Sequence, residues 1–191
     1  PTTESGGPVD ATRFEARLAE YTSSIDAAPA RGMLPEVLSG IRRASERSGK
    51  TIIVGNGGSS AVASHVSTDL AKTSGLRVLN LNDPGLITCF GNDYGYERWV
   101  AEALQRHLDP DDIAILISSS GQSENMIEAA RTARAIGATV ITLTGFDAKN
   151  PLRALGDLNL WVDAADYNVV EITHLAWLLA VVDVLAESAT A

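Results

Sequence analysis

Cysteine is nearly absent: Cys89 is the only one in 191 residues. An internal disulfide and a cysteine-based zinc knuckle are therefore excluded, and the usage fits a reducing cytoplasm. Within the run Ile87-Thr88-Cys89-Phe90, Cys89 itself reads as a small buried hydrophobe. Basic side chains are also scarce, 15 against 24 acidic ones, for a net charge of −9. That balance disfavours nonspecific nucleic-acid binding, because a phosphate backbone needs a basic face. A small phosphorylated ligand held locally by N–H groups and hydroxyls is not excluded. Long apolar runs are missing as well. The most apolar stretch, Leu175 to Val182, is shorter than a bilayer span. The polar segment Pro1 to Asp10 lacks the basic and apolar regions of a signal peptide. The expectation is a cytoplasmic protein with no membrane partner: a flexible tail over 1–10, then one domain over 11–188 that buries its core unaided.

What is present is alternation. Phe14, Leu18 and Tyr21 fall on one helical face, and Leu34, Val37, Leu38 and Ile41 make a second stripe, so helices are expected within 11–48. Short apolar runs then predict strands at 51–55, 77–81, 112–117, 138–143 and 158–162. Helical patterns fall at 60–73, 97–107, 123–136 and 168–187. Continuous apolar strands alternating with helices read as a parallel sheet covered on both faces. The fold class is α/β: a three-layer sandwich with a five-stranded, mainly parallel sheet and N-terminal helices.

Two loops carry chemistry. Gly55-Asn56-Gly57-Gly58-Ser59-Ser60 follows the first strand, and Ser118-Ser119-Ser120-Gly121-Gln122-Ser123 follows the third. Each opens into a helix. Backbone N–H groups and hydroxyls clustered at helix N-termini suit a phosphate. The first loop also admits a dinucleotide reading: Gly55 and Gly57 match two glycines of G-x-G-x-x-G, and Asp83 stands where a ribose-binding acid would be. Ser60 at the third glycine position weakens it. The missing Lys-Ser/Thr pair excludes a P-loop. An N-cap needs only one serine, whereas Ser118, Ser119, Ser120 and Ser123 can each donate to an anionic oxygen. On the next helix, His65 and Asp69 stand at i, i+4 on one face, a pair able to ligate zinc or to act as a base. Glu171 and His174 stand at i, i+3 on a very apolar helix, where a carboxylate needs a partner. His107, beside Arg106 on a charged helix, receives no role.

The segments GNGGSS (55–60), SHVSTDLAK (64–72), GNDYGYE (91–97), ISSSGQS (117–123) and VITLTGFD (140–147) together resemble the SIS (sugar isomerase) domain family, most of all its phosphoheptose isomerase branch. The resemblance runs from residue 35 onward. It implies that Ser118, Ser119, Ser120 and Ser123 hold a sugar phosphate, and that Asn56, Gly57, Ser59 and Asp93 line the sugar pocket. The family has a His and a Glu four residues apart, and here they are His65 and Asp69. Its catalytic, metal-binding His on the last helix falls at Leu179, leaving Glu171 and His174. The resemblance therefore implies a tentative site of His65, Asp69, Glu171 and His174, catalytic and holding Zn2+ or another divalent metal, with no nucleotide cofactor.

Two functions remain open at this stage. One is an aldose–ketose isomerase acting on a phosphorylated sugar, by resemblance sedoheptulose 7-phosphate, through an enediol(ate), with Asp69 as base. The other is a catalytically lapsed module that binds a sugar phosphate or a protein. The family resemblance, with the apolar N-terminal stripe and the last helix, further implies a homo-oligomer, expected to be a tetramer.

Overall fold

The computed structural model describes residues 11–27 and 31–189; the expected tail at 1–10 lies outside them. Five β-branched and aliphatic runs form β1 (Thr51–Gly55), β2 (Val78–Asn80), β3 (Ile113–Ile117), β4 (Thr139–Thr144) and β5 (Leu158–Trp161). They make one sheet in the order β2-β1-β3-β4-β5. Every pairing is parallel, and β1 and β3 are in register from Thr51↔Ile113 to Gly55↔Ile117.

Strand residues alternate between two cores, as the period of two requires. Ile53, Ile115, Ile117, Ile141 and Leu143 face one side. There they meet α2 (Leu34–Glu46), α3 (Gly58–Ser74) and α7 (Tyr167–Ala189) through Val37, Ile41, Val66, Leu70 and Trp177. Ile52, Val54, Ala114, Leu116 and Val140 face the other side. Their partners are Trp99, Val100 and Leu104 of α5 (Trp99–His107) and Met126, Ala130 and Ala133 of α6 (Glu124–Ile136). The three-layer expectation holds. Helix α1 (Ala11–Ile25) lies against α7: the Thr173 and Ser24 hydroxyls are hydrogen-bonded at 2.9 Å, and the Trp177 indole donates to the Ile25 carbonyl at 2.8 Å.

Two expectations need correction around residue 85. A helix not anticipated from the sequence, α4 (Pro84–Tyr94), follows β2. Asp83 is its N-cap and accepts from the Leu86 N–H at 2.9 Å, so it is a helix start, not a ribose ligand. Helix α4 buries none of its residues fully, and Cys89 on it is exposed.

Helix α7 is long and apolar enough to cross a membrane by length and composition alone, and half of that window is buried inside the fold. Its contacts with α1, α2 and α3 are those of a core helix. At the sheet's opposite end, Lys50 Nζ bonds Asp109 at 2.7 Å and also reaches Asp112, whose carboxylate further accepts the Lys50 and Asp109 backbone N–H groups.

Candidate functional site

The chain passes from β1 to β2 on one side and returns to β3 on the other. Loops leaving the carboxyl ends of β1 and β3 therefore part company above adjacent strands, which is where open α/β sheets keep their ligand crevice. Here those loops are the glycine-rich and the serine-rich segments. Together with the start of α7 they line an open cleft of about 100 Å³.

The first loop is glycine-rich because backbone and side chains crowd it. A Cβ on Gly58 would stand 2.1 Å from Glu171 Oε2. Helix α7 thus lays the Glu171 carboxylate flat against the first turn of α3. The carboxylate accepts from the Ser59 backbone N–H and from the Ser119 hydroxyl, while burial holds its proton affinity above that of an ordinary glutamate.

The serine loop has an inside and an outside. Ser118 and Ser119 are buried, at 4% and 3% exposure, whereas Ser120 and Ser123 are partly open to the cleft. Ser118 donates to Ser123 Oγ at 3.0 Å, which leaves the Ser123 proton to point elsewhere. Ser120 Oγ accepts the Gln122 N–H at 3.2 Å. Ser123 occupies the N-cap of α6 without capping it through its side chain. The loop is braced from behind by Asn150, 1% exposed, whose amide donates to the Asp147 carbonyl at 2.8 Å and whose oxygen accepts the Arg153 N–H at 2.9 Å. Gly121, at φ +65°, lies hard against it: a Cβ there would be 2.0 Å from Asn150 Oδ1.

Of the residues singled out from the sequence, Asn56, Ser59, Ser118, Ser119, Ser120, Ser123 and Glu171 line this cleft, and Gly57 sits in the same loop at the N-cap of α3. Four do not join them. Asp93 is exposed in the last turn of α4, accepting from Asn92 at 2.9 Å. His65 and Asp69 pair at 3.2 Å on an outer face of α3, with side chains 51% and 36% exposed. Asp69 lies roughly 16 Å along the helix from Gly58 at 1.5 Å per residue.

His174 is corrected outright. It is fully buried, with Nε2 3.2 Å from the Thr144 carbonyl. Burial depresses its pKa to about 4 against the pull of the Thr144 and Leu160 carbonyls. A neutral core histidine has no access to substrate or metal. Residues three apart on a helix differ by about 60° in direction, which is enough to send Glu171 to the cleft and His174 to the sheet. Within one chain the expected quartet does not converge. Among the described residues, no three His, Cys, Asp or Glu side chains gather as a metal site.

Three site residues escaped the sequence reading. Asn125, 2% exposed in the first turn of α6, exchanges two hydrogen bonds with Asn56. The Tyr96 hydroxyl donates to Asn56 Oδ1 at 3.2 Å. Tyr167 lines the cleft, its ring 4.9 Å from that of Phe146. A polar residue directly after a serine loop was the available signal for Asn125. Tyr96 falls within the segment 91–97 that carries part of the family resemblance.

Residues 34–145 match the SIS domain family. The chain is 34% identical over 136 residues to the phosphoheptose isomerase of Helicobacter pylori (strain HPAG1), covering 68% of this chain and 70% of that protein. It is 36% identical over 133 residues to the phosphoheptose isomerase of Burkholderia pseudomallei (strain K96243), covering 66% and 67%. Among solved structures, a phosphoheptose isomerase from Neisseria gonorrhoeae superposes with a TM-score of 0.81 at 28% identity, covering 92% of this chain and 98% of that one.

Proposed function

Because the chain belongs to the SIS domain family, we propose that it is a phosphosugar aldose–ketose isomerase acting on sedoheptulose 7-phosphate or a closely related sugar phosphate. One observation carries the reading: the serine loop stands beside the glycine-rich loop at the crevice above β1 and β3, so two helix N-termini and a row of hydroxyls face one small cleft. Ser120 and Ser123 donate to the phosphate ester from the open side, and the first turn of α6 adds its N–H groups. Anchoring the phosphate turns remote binding energy into orientation of the carbonyl end.

The reaction moves a proton between C1 and C2 through an enediol(ate), which calls for a base near those carbons. Asp69 of the same chain stands roughly 16 Å along α3 from Gly58, away from the cleft that would hold the sugar. The proposal therefore has Asp69 serve as base for a substrate held by another copy, with His65 orienting its carboxylate, while Glu171 acts in its own cleft. This requires a homo-oligomer, proposed as a tetramer. Apolar surface supports it: Phe14 and Leu18 on α1 are 62% and 61% exposed. Leu34, Leu38 and Val181 line a groove between α2 and α7. A divalent metal such as Zn2+ enters only where copies meet, with His65 and Asp69 as donors and Glu171 of another copy as the third. Such an ion would polarise the sugar carbonyl. No nucleotide cofactor belongs to the proposal. The exposed Cys89 fits a reducing cytoplasm.

Leu179, half-buried against the core at the position where the family places a histidine, favours a second reading in which the cleft binds a sugar phosphate without converting it. Turnover of sedoheptulose 7-phosphate, measured with and without added zinc, separates the two. Isomerisation is expected. Calorimetric binding with no turnover in either condition would establish the second reading, and neither binding nor turnover would overturn both. Light scattering at micromolar concentration is expected to give a tetramer, and a monomer would remove Asp69 from the mechanism.

A further inference from the structure

A reciprocal pair of side chains joins the two loops of the cleft directly. Asn56 Nδ2 donates to Asn125 Oδ1 at 2.9 Å, and Asn125 Nδ2 donates back to Asn56 Oδ1 at 3.0 Å. Both distances are those of good N–H···O bonds. Asn125 is 2% exposed, so breaking the pair leaves a buried amide without its partner. Tyr96 supplies a second donor to Asn56 Oδ1 at 3.2 Å. An amide oxygen has two acceptor sites, and both on Asn56 are occupied. Asn56 therefore has no oxygen left for a sugar hydroxyl, although it stands in the cleft wall. Two further links join the loops: the Glu171 carboxylate, which accepts from the Ser59 N–H and the Ser119 hydroxyl, and the approach of Ser59 Oγ to Ser119 Oγ, which at 3.4 Å is outside the usual range for hydroxyls.

We propose that Asn125 is a positioning residue for the anion site: through Asn56 it holds the N-termini of α3 and α6 at the separation a bound phosphate group needs, with Tyr96 as the third member of the clamp. The assignment rests on the phosphosugar reading. Its physical content is preorganisation. In the clamped protein the two sets of donors are already aimed at one point. Without the clamp, the ordering of both loops is moved into the binding step and subtracts from affinity. The chemistry at C1 and C2 is remote from the pair, so the loss belongs to KM more than to kcat.

The test uses Asn125→Ala, Asn56→Ala, the double variant, and Asn125→Asp, which keeps the volume but turns a donor into an acceptor. Two quantities are read: the rise in Tm caused by inorganic phosphate, and kcat and KM for sedoheptulose 7-phosphate. Each single variant is expected to lose at least half of the phosphate-induced rise. KM should increase about ten-fold or more with kcat within about three-fold of wild type, the double variant being no worse than the worse single one. If Asn125→Ala does not fold, Asn56→Ala at a partly exposed position removes the same pair. Wild-type phosphate response and KM in the single variants would overturn the proposal, as would a double variant whose KM increase is the product of the two. A wild-type protein with neither phosphate response nor turnover would overturn the phosphosugar reading along with it.

Discussion

Replacing Gly121 by alanine tests the architecture of the serine loop directly. Two costs combine. The residue sits at φ +65°, in the left-handed region where a Cβ costs roughly 1–2 kcal/mol. The new methyl would also lie 2.0 Å from Asn150 Oδ1 and 2.8 Å from Asn150 Cβ. Asn150 is 1% exposed and cannot swing into water. It holds the Asp147 carbonyl, the Gly145 carbonyl and the Arg153 N–H at 2.8, 3.3 and 2.9 Å. Displacing it forfeits up to three bonds at about 0.5–1.5 kcal/mol each, for a total of about 3–6 kcal/mol with the backbone cost. At roughly 2–4 °C per kcal/mol for a domain of this size, Tm should fall by about 6–24 °C. The stabilisation by added phosphate should disappear with it. Gly137→Ala is the control: its φ is +94°, but the nearest atom to the new Cβ is Pro110 Cβ at 3.8 Å, so only the backbone cost of about 1–2 kcal/mol applies. Differential scanning calorimetry of both variants decides. Equal Tm losses would refute the role given to Asn150, and a Gly121→Ala protein within about 2 °C of wild type would refute the whole account.

Ser120→Ala should weaken phosphosugar binding by about 1.5–3 kcal/mol, the worth of one donor to a charged group; unchanged affinity in titration calorimetry would count against the anion site. Asp69→Asn should lower turnover about 10²–10⁴-fold, the usual contribution of a general base, while leaving Tm nearly unchanged because the side chain is 36% exposed. His174 makes stability acid-sensitive. Its folded pKa of about 4 lies below the unfolded value of 6.5, so the unfolded chain takes up the proton first. Its contribution is full above pH 6.5 and shrinks as pH falls, with about 3 kcal/mol lost by pH 4. Urea denaturation of wild type and His174→Gln between pH 7 and 4 should show a shallower decline in the variant, and parallel curves would contradict the linkage.

The strands were legible because buried parallel strands leave unbroken apolar runs: 51–55 is β1 as observed, and the other four agree within a residue or two. The serine loop was legible because four hydroxyls in six residues have no packing role. Helix α4 was not, since Gly85 and Gly91 interrupt its pattern and it buries no residue fully. Its start signal, Asp83 followed by Pro84, is ambiguous in sequence, because an acid after the second strand also fits a ribose ligand. The same shallow packing explains why Cys89 is exposed in spite of apolar neighbours. Glu171 and His174 could not be sorted from spacing alone. On a helix that is apolar on most sides, periodicity does not say which direction holds the cleft, and only the sheet's topology does.

The position of α7 in the chain has a consequence for biosynthesis. Its residues Val170, Trp177, Leu178, Val181, Val182 and Leu185 complete one of the two cores, and it follows every strand in chain order. During translation all five strands, with α2 and α3, emerge before the helix that covers them. Until then Ile53, Ile115, Ile141 and Leu143 have one face uncovered, and Glu171 is missing from the cleft. The nascent chain is therefore expected to engage chaperones until α7 has left the ribosome, and stop codons ahead of Trp177 should yield insoluble product instead of a smaller folded domain.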